Sequence, residues 1–137
     1  GHHYARAMSS WGVLTALSGF SYSAPEKSMG FDPKMNAADF RTVWTSGSGW
    51  GTYAQKEEPG KGLSLRLEAG AGSVELKDIV VTLPAAAEGK ALRSIKGSLG
   101  GAEITSTTRR TGNSVRIQWL KPVRIEPGQP LELAIRF

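Results

Sequence analysis

The stretch Leu63-Ser64-Leu65-Arg66-Leu67-Glu68 alternates leucine with a polar or charged residue at every step. Successive side chains of an extended strand point to opposite faces, so this run puts three leucines on one side and Ser64, Arg66 and Glu68 on the other. A helix would scatter the same leucines around its circumference. The segment therefore reads as a half-buried β-strand.

The same period extends in both directions. Downstream, Val74 and Leu76 share one phase, while Ile79, Val81 and Leu83 share the other. One extra residue near Lys77-Asp78 returns both groups to a common face, which predicts a β-bulge there. Ile104, then Val115, Ile117 and Trp119, then Val123 and Ile125, and finally Leu131, Leu133, Ile135 and Phe137 continue the alternation. Upstream, residues 40–45 and 50–56 read as strands joined by a tight glycine turn. Further turns are expected at Pro59-Gly60, across residues 70–72, and at Gly100-Gly101, Gly112-Asn113 and Pro127-Gly128, whose residue types supply turn geometries that others resist. This spacing suits an antiparallel β-sandwich and leaves no room for βαβ crossovers. Residues 85–88 have room for one helical turn.

The N-terminal segment has a different period. Tyr4, Ala7, Met8, Trp11, Leu14 and Leu17 recur at three- and four-residue intervals, giving one apolar helical stripe. Ser18-Gly19 supplies the stop. The expected class is mainly β: an antiparallel β-sandwich over residues 21–137, preceded by one N-terminal amphipathic helix within residues 1–20. Such a stripe needs cover, so Tyr4, Met8, Trp11, Leu14 and Leu17 are the candidate domain or self-association interface, with a homodimer as one way of covering it.

Composition narrows the chemistry. The 137 residues suit one β domain, and 39% apolar with 21% charged residues marks a globular chain. Without cysteine there is no disulfide or thiolate site, and with histidine only at His2 and His3 a metal centre or a Ser-His or Cys-His pair has no separate base to use. No apolar run reaches the ~18 residues of a membrane span, and no secretory leader pattern is present in this sequence; the expectation is a soluble chain with no membrane partner. The net charge of +5 is uneven: Lys90 to Phe137 holds nine Lys or Arg against three Glu. These cations are spaced singly along alternating strands, as in Arg116, Arg124 and Arg136, which fits a solvated sheet face rather than a nucleic-acid interface.

The N-terminal third also carries a resemblance. It rests on His3-Tyr4-Ala5-Arg6-Ala7-Met8-Ser9-Ser10-Trp11-Gly12-Val13-Leu14, then Ala16-Leu17-Ser18-Gly19-Phe20 and Tyr22. Pro25-Glu26-Lys27, Phe31-Asp32-Pro33-Lys34 and the Gly49-Trp50-Gly51 core follow. This succession resembles the C-terminal end of six-hairpin (α/α) glycoside hydrolases of the non-lysosomal glucosylceramidase and β-glucosidase type and their bacterial relatives, over about residues 3–55. The resemblance implies that the first helix is the last helix of a barrel whose remainder lies upstream, that this barrel is the partner of the β domain, and that both catalytic carboxylates belong to it. No catalytic residue is carried over to this chain.

The residues themselves agree that catalysis is not the expectation. Glycoside hydrolysis needs two carboxyl groups facing one sugar. Glu57 and Glu58 are adjacent and point to opposite faces, while Asp32 and Asp39 stand at turn or cap positions. The run Gly47-Ser48-Gly49-Trp50-Gly51 lacks the following helix that a phosphate loop requires. No cofactor motif and no metal-ligand cluster is found. Trp44, Trp50 and Tyr53 keep two readings open: packing in a core or domain interface, or stacking against carbohydrate. Three functions follow for the chain: an accessory domain on a glycoside-hydrolase barrel, a free-standing carbohydrate-binding module, or a structural oligomerisation domain.

Overall fold

The computed structural model describes residues 20–33 and 38–137. The expected helix, its stripe of Tyr4, Met8, Trp11, Leu14 and Leu17, and both histidines lie outside the described residues.

The described chain is mainly β, with eleven strands in two antiparallel-rich sheets. One sheet holds β1 (Ser21–Ser23), β2 (Ser28–Phe31), β6 (Val74–Thr82), β10 (Ser114–Ile125) and β9 (Ser106–Thr111), in that spatial order. The other runs β3 (Asp39–Ser46), β4 (Gly49–Glu58), β5 (Gly62–Gly72), β11 (Leu131–Arg136), β7 (Ser94–Leu99) and β8 (Ala102–Ile104). A single 3₁₀ turn, Ala85–Ala87, interrupts the path from β6 to β7.

The alternation read from the sequence becomes the core. Leu63, Leu65 and Leu67 of β5 and Leu131, Leu133 and Ile135 of β11 are buried from the six-stranded sheet. They share one apolar cluster with Val74, Leu76, Ile79 and Val81 of β6 and Val115, Ile117, Trp119, Val123 and Ile125 of β10. Full burial of one such side chain stabilises by about 1.5–3 kcal/mol, which makes each strand's phase non-negotiable.

The phase slip in β6 is a bulge. Leu76 and Ile79 are both buried, and the carbonyl of Lys27 accepts from two consecutive amides, Lys77 at 2.7 Å and Asp78 at 3.5 Å. Opposite it, the β10 register jumps from Gln118↔Asp78 to Val123↔Leu76. The intervening Leu120 is pushed out to 91% exposure.

Two expectations need correction. The pairing is not antiparallel throughout: β2 runs parallel to β6, from Ser28↔Asp78 to Phe31↔Val81. A parallel pair needs a long connection, and the β3–β5 meander in the other sheet supplies it. Residues 70–72 are not a turn either. Gly70 and Ala71 continue β5, and only Gly72, at φ +68°, bends the chain into the other sheet. The remaining glycine turns fall at the expected positions, including the two-residue Gly47-Ser48 connection between β3 and β4.

Candidate functional site

The Gly49-Trp50-Gly51 core lies where β3, β4 and β5 meet. Trp44 on β3 is paired with Gly51 on β4, faces inward, and is fully buried. Its indole Nε1 donates to the carbonyls of Thr52 (3.2 Å) and Glu68 (3.0 Å), tying β4 to β5 where their ladder is irregular. Gly51 makes this possible, since a Cβ there would stand 1.8 Å from the Glu68 carbonyl oxygen. The β4–β5 register slips between Trp50 and Gly51, and Gly70 is the residue left over. The Trp50 benzo ring sits on it, with Cζ3 2.7 Å from where a Gly70 Cβ would be. Trp50 faces outward and is 52% exposed.

Tyr53, three positions beyond Trp50, faces the opposite side of β4. It is fully buried and stacked on Phe31 at 3.7 Å, and its hydroxyl donates to Gln55 Oε1 at 2.7 Å. Burial holds its pKa well above the ordinary 10.0, because the phenolate would lose its water. Of the three aromatic residues considered for sugar stacking, Trp44 and Tyr53 are therefore core residues with no ring face to offer. Trp50 alone retains one. Period two separates Trp50 from Tyr53 by sequence alone, a signal the aromatic grouping passed over.

The outer face of the six-stranded sheet carries a cross-strand row, Arg41↔Ala54↔Arg66↔Glu132↔Ser98↔Glu103. Arg66 forms its centre. Its Nε pairs with Glu68, and its Nη1 lies 3.2 Å from Glu132. The hydrogen bond that Arg66 donates to Glu68 is the main cause of a raised Arg66 pKa, which leaves the guanidinium charged at any working pH. This charged ridge divides the face. On one side is a groove of about 560 Å³ bordered by Arg41, Val43, Arg66 and Glu68 and floored by Thr52 and Ala54. On the other is a hollow of about 430 Å³ over Ser64, Gly97, Ser98 and Ala134, rimmed by Lys96, Glu103 and Glu132. Trp50 stands one outward position beyond Thr52 on β4. Arg41, Arg66 and Ala54 went unnoticed in the sequence because their adjacency depends on strand order and register.

The outer face of the five-stranded sheet is more self-satisfied. Asp78, 9% exposed, accepts from the Ser28 hydroxyl and from Arg116 Nη1 at 3.0 Å, and Thr82 Oγ1 donates to Asp32 at 2.8 Å. Glu75 is held below the usual carboxylate range, first by the hydrogen bond from Lys27. The basic final third does not form one patch. Lys96 and Arg136 lie on one outer face and Arg109, Arg116 and Arg124 on the other, while Arg110 donates to the carbonyls of Ala87, Lys90 and Gly112.

Among the described residues no three His, Cys, Asp or Glu side chains gather as a metal site, and no helix is long and apolar enough to cross a membrane. Glu58 is bound to Arg136 at 3.2 Å, with Glu57 on the other face of β4. Gly47-Ser48 leads into β4, and its Ser48 hydroxyl donates to the Ser73 carbonyl at 2.6 Å, clamping the β5–β6 corner rather than cradling an anion. No family model matches the chain, and comparison with curated proteins and with solved structures also returns no match.

Proposed function

We propose that residues 21–137 form an antiparallel-rich β-sandwich acting as the non-catalytic C-terminal accessory domain of a glycoside-hydrolase-like protein. It packs on an upstream catalytic barrel and turns the outer face of its six-stranded sheet toward the sugar site. The observation that carries this is the groove along β4, floored by Thr52 and Ala54 and continued by the half-exposed Trp50. The resemblance over residues 3–55 supports the barrel partner, and the two sheets sharing one core support the sandwich. Glu57 and Glu58, on opposite faces of their strand, do not make the opposed pair that glycoside hydrolysis uses.

A second reading, a free-standing carbohydrate-binding module, is favoured by the exposure of Trp50 itself. The coding sequence upstream of His2 separates the two: a six-hairpin barrel there supports the accessory domain, whereas a start codon or leader directly before it supports the module. The purified chain should hydrolyse aryl glycosides no faster than a mock preparation. Turnover that follows the protein through rechromatography refutes a non-catalytic role.

A further inference from the structure

The geometry points to an acidic oligosaccharide as the ligand of the β4 groove, with a sugar carboxylate held over Ala54 between Arg41 and Arg66 and a neighbouring ring on Trp50. This rests on the sugar-facing reading of the sheet and names its ligand class. Arg41 and Arg66 are the two cross-strand neighbours of Ala54, one on each side. Two strand spacings separate their backbones by roughly 9–10 Å, and the alanine between leaves that gap unfilled. A carboxylate placed there meets a guanidinium from either side, the arrangement in which arginine makes its strongest anion contacts. Arg41 has no ion pair among the described residues, so its charge is available. Arg66 is braced through Nε by Glu68, which also borders the groove, and through Nη1 by Glu132 on the far side, which fixes its fork while Nη2 has no partner among the described residues.

The floor sets the shape of the ligand. Outward positions on β4 run Trp50, Thr52, Ala54, and four residues of strand cover roughly 13 Å, which takes a short oligosaccharide rather than one ring. Trp50 cannot tip inward, because Gly70 seats its benzo ring, and its exposed part presents the flat apolar surface on which a pyranose face packs. The Asp78–Arg116–Ser28 cluster on the opposite sheet lacks these properties, since its groups satisfy one another.

The test is calorimetric titration with trigalacturonic acid, its full methyl ester and xylotriose, on the parent chain and on Arg41→Ala and Trp50→Ala, with thermal melts confirming that each variant folds. The acid should bind more tightly than its ester and weaken as salt rises. Arg41→Ala should weaken the acid by about tenfold or more, the loss expected for one charge-assisted contact, and leave the ester unchanged. Trp50→Ala should weaken acid and ester alike. Equal binding of acid and ester, or a silent Arg41→Ala, overturns the acidic assignment while leaving the sugar-facing reading intact. Failure of all three saccharides overturns both. Tighter competition by an oligoglutamate peptide overturns the assignment to a saccharide.

Discussion

Gly51→Ala should be among the most damaging single-methyl additions available in this chain. A Cβ at that position falls 1.8 Å from the Glu68 carbonyl oxygen and 2.8 Å from the Ala69 Cα, both backbone atoms of β5 that cannot swing aside. Relieving the overlap means opening the β4–β5 ladder where Trp44 bridges the carbonyls of Thr52 and Glu68. Overpacking of this kind costs about 1–3 kcal/mol, and loss of the shared indole hydrogen bond adds about 1–2 kcal/mol. The sum, about 2–5 kcal/mol, is a large part of the ~5–15 kcal/mol that holds a domain of this size together. At about 4 °C per kcal/mol the melting temperature should fall by about 8–20 °C. Urea unfolding followed by circular dichroism measures the loss directly. Gly47→Ala, four residues away with nothing within 4 Å of its would-be Cβ, is the matched control and should stay within about 0.5 kcal/mol of the parent. Equal midpoints for the two variants would refute the close-approach argument.

Trp44→Phe keeps an aromatic ring but removes the Nε1 donor from two strand carbonyls, and should cost about 1–3 kcal/mol in the same urea assay; a neutral result means that the indole hydrogen bonds do not matter. Tyr53, whose folded pKa is raised above its unfolded value, contributes stability that is complete below pH ~10 and is lost as pH rises toward the folded pKa. Its ultraviolet ionisation signal, taken as the difference between parent and Tyr53→Phe, should therefore accompany alkaline unfolding, with Tyr53→Phe showing a shallower loss above pH ~10; an ionisation step in the folded protein that Tyr53→Phe removes contradicts the burial argument. Asp78→Ala strands the Ser28 hydroxyl and Arg116 and should cost about 1–2 kcal/mol, with most of the loss from the buried hydrogen bond because the Arg116 side chain is half exposed. A double-mutant cycle with Arg116→Ala should return a coupling below ~1 kcal/mol; a larger value would place the ion pair in a drier setting.

Much of this fold is legible one residue at a time. The leucines of β5, the hydrophobic phase of β10 and β11, and even the bulge at Lys77-Asp78 follow from period two, because burial of one face leaves the strand no freedom of phase. What escapes is whatever depends on partners distant in sequence. Nothing in Ser28–Phe31 says that it lies parallel to β6, and Gly70 and Gly72 look like a turn until Trp50 is found to cover the first of them. The aromatic trio shows both sides of this. The opposed facing of Trp50 and Tyr53 is written in their spacing, whereas the burial of Trp44 depends on which strand carries Gly51. The groove is the least legible part, since Arg41, Ala54 and Arg66 become neighbours only once three strands are in register.

The position of β11 has a consequence for biosynthesis. This strand, the latest of the eleven to emerge from a ribosome, sits between β5 and β7 in the middle of the six-stranded sheet. Until residues 131–136 are made, β5 must wait with one edge unpaired, and β7 has no neighbour through which to join it. A stop between Ile104 and Leu131 thus yields a sheet split down its centre rather than a slightly shortened domain. The nascent chain is at its stickiest just before residues 131–136 emerge, when a chaperone or an already folded neighbour would have most to shield.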